Sequence, residues 1–395
     1  MGAISKKGVD RRAMTILSGG HLFTDVNQGA VAALIPFLVA ERGISLAAAG
    51  ALVLAATVSS SVVQPLFGIF SDRRPLPILM PLGVLVAGIG MALVGAAPSY
   101  PLILICVVFS GIGVAAFHPE AARYANYVSG AGRARGMSFF SVGGNAGFAL
   151  GPVFATPLVL LFGLPGTLFL ALPAALMAAV MTLDLPRLRR FQPEPTEGAN
   201  GHSADAPAAW GPFARMVGVV TLRSFLYFGL VAFVASYYGQ VLDTSPAFGN
   251  VALTVMLASG AVGTLFMGPL ADRFGRRAVL GVSMFLLGPL VFVFTLCGPI
   301  AGMAILALIG AAVIGTFGVT VVMGQEYLPG RIGLAAGITM GLSIGIGGLG
   351  APVLGLVADG YGLTTTMFVV AVLPVLGLLL TLTLPRKPPE ASKAG

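Results

Sequence analysis

His21-Leu22-Phe23-Thr24-Asp25-Val26-Asn27-Gln28 interrupts an otherwise apolar run from about Ala13 to Ala40, a stretch long enough to cross a bilayer. A carboxylate in such a run is a physical anomaly. An ionisable group at membrane depth costs about 2.5–3.5 kcal/mol on insertion scales, so it normally faces a protein interior or a wet cavity and has a task there. His21 and Asp25 are one helical turn apart and share a face, and Gln28 follows three residues later on the same side.

The whole chain has the composition of an integral membrane protein. Of its 395 residues 57% are hydrophobic and only 9% charged, with a mean hydropathy of +0.96, whereas soluble domains carry about 25% charged residues. The 55 glycines and 27 prolines suit membrane helices, where neighbouring helices satisfy the backbone groups that these residues free. The formal charge of +8 is scattered between apolar runs. It therefore reads as a topology signal and not as a nucleic-acid patch. Cys106 and Cys297 lie in apolar runs without CxxC or His-rich spacing, which argues against a disulfide framework or structural zinc. Lys6, Lys7, Arg11 and Arg12 precede the first run as in a signal peptide, but the run's length and Asp25 point to an uncleaved first helix.

A ruler of about 20 apolar residues per span places twelve helices, at about 13–40, 46–70, 76–97, 100–125, 134–162, 165–184, 213–239, 247–270, 278–298, 300–325, 332–358 and 363–384. A polar segment rich in Pro, Glu, Gly and Ser divides them, giving an N-terminal bundle 1–185, a linker 186–212 and a C-terminal bundle 213–395. With both termini cytoplasmic, nearly all Lys and Arg fall in inner segments. Arg42 alone falls in an outer loop, and Arg223 lies within the seventh span. The halves repeat at an offset of 200 residues: Gly68, Asp72 and Arg73 recur as Gly268, Asp272 and Arg273, Tyr127 and Gly130 as Tyr327 and Gly330, Gly147 and Pro152 as Gly347 and Pro352. Parallel six-span halves of this kind enclose a central cavity with its solute near the midplane. The face of His21, Asp25 and Gln28 is expected to line that cavity, with solute and protons crossing it.

The turns after spans two and eight are Gly68-Ile69-Phe70-Ser71-Asp72-Arg73-Arg74 and Gly268-Pro269-Leu270-Ala271-Asp272-Arg273-Phe274-Gly275-Arg276-Arg277. Short Gly-Asp-Arg loops pack under helix ends, and carboxylate–guanidinium pairing there can lock two bundles in one state and release them in another. These loops resemble the cytoplasmic signature of the major facilitator superfamily. More narrowly, Gly20-His21 through Asp25, Gln64-Pro65, Phe117-His118-Pro119-Glu120, Val142-Gly143-Gly144-Asn145, Tyr237-Tyr238 and Gln325-Glu326-Tyr327-Leu328-Pro329-Gly330-Arg331 resemble its fosmidomycin-resistance branch. The resemblance implies an all-α membrane protein with twelve helices in two pseudo-symmetric bundles. It also implies proton-coupled export of a small drug, phosphonate antibiotics among the candidates.

The remaining polar residues fit such a machine. His118 and Glu120 join Asp25 and His21 as candidate proton carriers, Glu120 also being spaced to pair with Arg123. Arg223 has no acidic neighbour within a helical turn and is suited to gripping a phosphonate or carboxylate, or to pairing with Asp25. Gln28, Asn145, Tyr237 and Tyr238 are further candidates for solute contact, with helix packing or the interfacial belt as their structural alternatives. An inner gate is expected from Gly68, Asp72, Arg73, Gly268, Asp272, Arg273, Arg276 and Arg277, with Glu326 pairing Arg331. Gly143, Gly147 and Gly151 in span five, and Gly337, Gly341 and Gly345 in span eleven, form small-residue faces for close helix contact. Gly345-Ile346-Gly347-Gly348-Leu349-Gly350 matches a dinucleotide-binding pattern in form only, since no strand precedes it, and no Walker, HExxH or nucleophile-elbow motif occurs. The expected protein is a monomeric exporter of the bacterial inner membrane, without cofactor or metal, whose partners are a small solute, protons and lipid. An uptake permease for a small organic anion is the alternative.

Overall fold

The computed structural model describes residues 8–73, 76–130, 133–191, 208–328, 331, 334–335, 338–339 and 343–385. Among these residues the chain is helical throughout, without a strand. Its helices are α1 (Arg11–Arg42), α2 (Leu46–Ser61), α3 (Gln64–Arg73), α4 (Leu79–Val94), α5 (Tyr100–Ser129), α6 (Arg133–Phe162), a 3-10 turn (Leu164–Leu170) leading into α7 (Ala171–Leu188), α8 (Trp210–Gln240), α9 (Pro246–Phe274), α10 (Arg276–Leu296), α11 (Pro299–Gly315), α12 (Phe317–Tyr327), α13 (Ser343–Gly348) and α14 (Gly350–Leu382). Among the described residues ten helices are long and apolar enough to cross a membrane, and the shorter apolar helix Leu79–Val94 stands where the third span is expected. Leu161, Leu183, Leu296 and Ile300 stand fully out from the protein. Apolar side chains in that position suit lipid, which offers no hydrogen bonds and requires none.

Local chemistry accounts for the departures from the sequence ruler. The second span is broken between Ser61 and Gln64, where Pro65 has no N–H for the preceding turn and disfavours helical geometry in the residue before it. The last two expected spans are joined in one 38-residue apolar stretch, Gly345–Leu382, but Gly362 inside it has φ of 83°, a left-handed conformation that turns the chain at glycine's low steric cost.

Contacts divide the chain into two compact units, Met1–Ile44 with Ala55–Thr196, and Ser45–Leu54 with Glu197–Gly395. In the first unit α1, α4, α5, α6 and α7 bury a core of Met14, Leu17, Met80, Val84, Phe117, Tyr124, Phe140 and Met181. Close packing of α6 on α1 depends on its glycines. A Cβ at Gly143, Gly147 or Gly151 would collide with the α1 backbone at Ser18, Leu22 and Gly29 respectively. In the second unit Gly347 likewise meets Ser224 of α8; Gly337 and Gly341 lie outside the described residues. The internal repeat extends to a backbone bond: Asp10 N–H donates to Val128 O over 2.8 Å, and Ala209 N–H donates to Tyr327 O over 2.8 Å, at the repeat offset to within one residue.

Charged groups fix two helix ends. Asp10 caps α1 by accepting from Ala13 N–H and receives both carboxylate contacts from Arg187 at 3.1 and 3.0 Å, tying the start of α1 to the end of α7. In the second unit the Asp359 carboxylate accepts from the N–H groups of Leu46 and Ala47 at 2.8 and 2.9 Å, an N-cap supplied from far along the sequence. Asp10→Ala removes both the cap and the Arg187 contacts. It is expected to lower stability by about 1–2 kcal/mol, the upper range for a lost cap, with the one-third-exposed Arg187 adding little. Thermal unfolding of the purified protein in detergent measures this.

Candidate functional site

On α1 His21 and Asp25 meet across one helical turn, and a residue from another helix joins them. His21 Nε2 lies 3.4 Å from Asp25 Oδ2, and His118 Nε2, arriving from α5, lies 3.2 Å from Asp25 Oδ1. His21 Nδ1 is 2.8 Å from the Phe140 carbonyl and His118 Nδ1 is 3.0 Å from the Val114 carbonyl. A carbonyl only accepts, so both Nδ1 atoms carry hydrogen, and both Nε2 atoms are turned toward the carboxylate. The two rings meet edge to face with centroids 5.0 Å apart, and His21 stacks on Phe140 at 4.2 Å.

The packing that holds this cluster is the unit's core. Phe117 and Phe140 are both core side chains and ring neighbours of His21. On the α6 side Gly144 is required, because a Cβ there would collide with His21 Nε2 and approach Asp25 Oδ2 to 2.8 Å. Gln28 lies further along α1 and donates to Ser60 Oγ at 2.8 Å. Asn145 is half-buried next to Gly144. Glu120 is fully buried and 3.8 Å from Arg123, the pairing its spacing predicts.

In the second unit Arg223 is buried on α8. Its Nη1 donates to Thr316 Oγ1 over 3.3 Å, Thr316 in turn donates to Ala312 O, and the guanidinium lies 5.3 Å over the Phe317 ring. No carboxylate among the described residues pairs with it, and its hydrogen bond to Thr316 uses one of the five donors that a guanidinium carries. A desolvated, incompletely satisfied cation of this kind suits an anion. Tyr237 and Tyr238 are enclosed, contrary to their expected solute contact. Tyr238 donates its hydroxyl to Pro299 O at 2.8 Å and packs on Phe248 and Phe294, and Tyr237 packs on Phe294. These rings act in helix packing in this structure.

The second Gly-Asp-Arg loop forms an ion cluster whose pairing differs from the expectation. Glu326 pairs with Arg276 at 2.6 Å, and Arg276 also reaches Asp272 at 3.6 Å. Arg331 lies instead over the Trp210 ring at 5.6 Å. Arg331 lies beyond α12, which ends at Tyr327, so helical spacing does not bring it to Glu326. Arg277 donates to the Thr381 and Leu382 carbonyls, Arg273 lies over Phe274, and Gly268 has open space at its Cβ position. In the first loop Gly68 is near Pro119; Asp72 and Arg73 close α3, their side chains lying outside the described residues, as do Pro329 and Gly330. Sequence reasoning missed the approach of His118 to Asp25, Thr316 and Phe317 beside Arg223, and the Asp359 cap. Only the first had a signal, since two of the chain's three histidines fall in motifs also carrying a carboxylate.

The long apolar helices and the matching family model show a multi-pass membrane transporter, not an enzyme. The chain belongs to the major facilitator superfamily, whose model matches residues 17–243 and 217–395. It is 34% identical over 387 residues to the uncharacterized MFS-type transporter YfnC of Bacillus subtilis, covering 95% of this chain and 94% of that one. It is 32% identical over 371 residues to the fosmidomycin resistance protein of Escherichia coli, covering 92% and 90%. Among solved structures, an inward-facing, unoccupied bacterial homolog of the human lysosomal transporter Spinster shares the fold, with a TM-score of 0.80, 16% identity and coverage of 94% and 95%. The nucleoside transporter NupG gives 0.76, 15% identity and coverage of 94% and 99%.

The side chains of Arg276 and Glu326 are 31% and 29% exposed, so solvent screens their short pair. A double-mutant cycle of Arg276→Ala and Glu326→Ala, read by thermal unfolding, is expected to give a coupling of about 0.5–1 kcal/mol that shrinks at high salt.

Proposed function

We propose that this transporter is a proton-coupled antiporter that exports a small anionic drug, fosmidomycin-like in its charge, from the cytoplasm by alternating access. The observation that carries the reading is the Asp25 carboxylate bracketed by His21 and His118 on α1 and α5. Such a group can take up and give back a proton without leaving its site, which is what coupling to a proton gradient requires. Arg223 supplies the complementary half, a buried guanidinium able to receive a phosphonate or carboxylate through two parallel hydrogen bonds. Support for the drug class comes from the fosmidomycin resistance protein of E. coli, 32% identical to this chain.

In the proposed cycle Asp25 with His21 and His118 binds the proton, Arg223 binds the anionic group of the solute, Gln28 and Asn145 are further candidates for solute contact, and the Asp72 and Asp272 loops, with Arg276 and Glu326, serve as the inner gate. Coupling follows if proton and solute favour different conformations. Glu120 and Arg123 stabilise the first bundle. The working protein is a monomer in the bacterial inner membrane with both termini cytoplasmic, because the path lies within one chain.

Purified protein in vesicles with an imposed pH gradient is expected to drive fosmidomycin against its concentration gradient. Asp25→Asn, still folded, should lose the gradient-driven component and keep only downhill exchange. Arg223→Gln should weaken solute binding at least about tenfold, since a charged hydrogen bond contributes about 1.5–3 kcal/mol and 1.4 kcal/mol is tenfold. Gradient-driven transport at the wild-type rate in Asp25→Asn would remove that carboxylate from the coupling step.

A further inference from the structure

We propose that His21, Asp25 and His118 form a binding site for a divalent transition-metal ion of the Zn2+ class. Both Nδ1–H groups are committed to backbone carbonyls. In the neutral rings the two Nε2 lone pairs therefore point at a carboxylate that is itself only an acceptor. Three acceptors face one another, and the arrangement calls for a cation among them.

Both histidine nitrogens stand further from the carboxylate than a direct charge-assisted hydrogen bond, His21 from Oδ2 and His118 from Oδ1, which leaves room for an ion among them. Nε2 to Oδ distances are 3.4 Å for His21 and 3.2 Å for His118, whereas a charge-assisted N–H···O bond spans about 2.7–2.9 Å. Ligand atoms at about 2.0–2.1 Å from one tetrahedral ion stand about 3.3–3.4 Å apart. Asp25 is 9% exposed, and its Oδ2 and Oδ1 face Nε2 of His21 and of His118 respectively, so both oxygens are directed into the cluster. The three ligand atoms lie within 4.8 Å of one another. The outer shell is also in place, because metal-bound imidazoles characteristically donate their other N–H to a carbonyl or carboxylate.

Two imidazoles and one carboxylate select a borderline ion such as Zn2+ over Mg2+ or Ca2+, which prefer all-oxygen sites. Three protein ligands leave the fourth position to water or solute. The side chains of the cluster are 12–19% exposed. The inference uses the same cluster as the coupling reading but does not require that reading to hold. A bound metal occupies the lone pairs that coupling protons would use, so Zn2+ is expected to inhibit gradient-driven transport.

The test is titration of the purified, chelator-stripped full chain with ZnCl2 by calorimetry and with CoCl2 by visible absorption. The expected result is one ion per chain, a tetrahedral Co2+ spectrum bleached by Zn2+, and affinity at least about tenfold weaker in Asp25→Asn and His118→Gln. Gly144→Ala keeps all three ligands but sets a methyl group against two of them, and it should lose the metal too. His202→Ala, which changes the chain's one other histidine, should bind as wild type. Thermal unfolding of each variant identifies those that are folded. The proposal is overturned by the absence of saturable one-to-one binding, by undiminished affinity in folded Asp25→Asn or His118→Gln, or by loss of the ion in His202→Ala. Gradient-driven transport without metal binding would defeat this inference and leave the coupling reading standing; metal binding without pH-dependent transport would do the reverse.

Discussion

A buried carboxylate needs polar partners at short range, and the first unit gathers them at Asp25. Two imidazoles face it from α1 and α5, each fixed by a carbonyl on its far nitrogen. The Phe117 and Phe140 rings hold the histidines in place. Through Phe140 and Gly144 the cluster also depends on α6, which can come so close only because its facing residues lack side chains. The polar site and the tight helix packing are thus one construction, and a change in either is felt in the other.

The second unit holds the opposite charge under the opposite condition. Arg223 is enclosed with a threonine hydroxyl and an aromatic face as neighbours, neither of which neutralises it. A buried guanidinium offset by dipoles alone is costly, and structures retain such groups where a ligand completes them. Asp25 and Arg223 differ in how complete their surroundings are: the carboxylate has partners able to share protons, and the guanidinium keeps donors in reserve. That asymmetry is the physical basis for assigning cations to one site and an anionic solute to the other. For the two to drive each other, each ligand must favour a different arrangement of the bundles.

Much of this was legible in the sequence, and what was hidden was hidden for identifiable reasons. Composition and the length of the apolar runs determine an all-helical membrane protein, and the i, i+4 spacing of His21 and Asp25 is local enough to read without coordinates. Equal unbroken spans oversimplify the described helices, because Pro65 breaks the second, whereas the turn at Gly362 falls where the last two spans were expected to part. His118 and Asp25 were each recognisable as ionisable groups out of place, but their meeting is a tertiary fact that periodicity does not encode. Glu326 illustrates the same limit, taking its partner from the start of α10 in preference to the arginine five residues along its own chain. Tyr238 looked available because aromatic residues near a helix end often are, yet its hydroxyl is committed to Pro299.

The central claim is that the anionic solute and the cations held at Asp25 are thermodynamically linked within one chain. The most direct measurement is the proton release that accompanies fosmidomycin binding to the purified, metal-free protein in weakly buffered detergent solution, followed with a pH-sensitive dye. The account predicts release on solute addition to the wild type and none with the folded Asp25→Asn variant. Solute binding without proton release in the wild type, or equal release from both proteins, would contradict it.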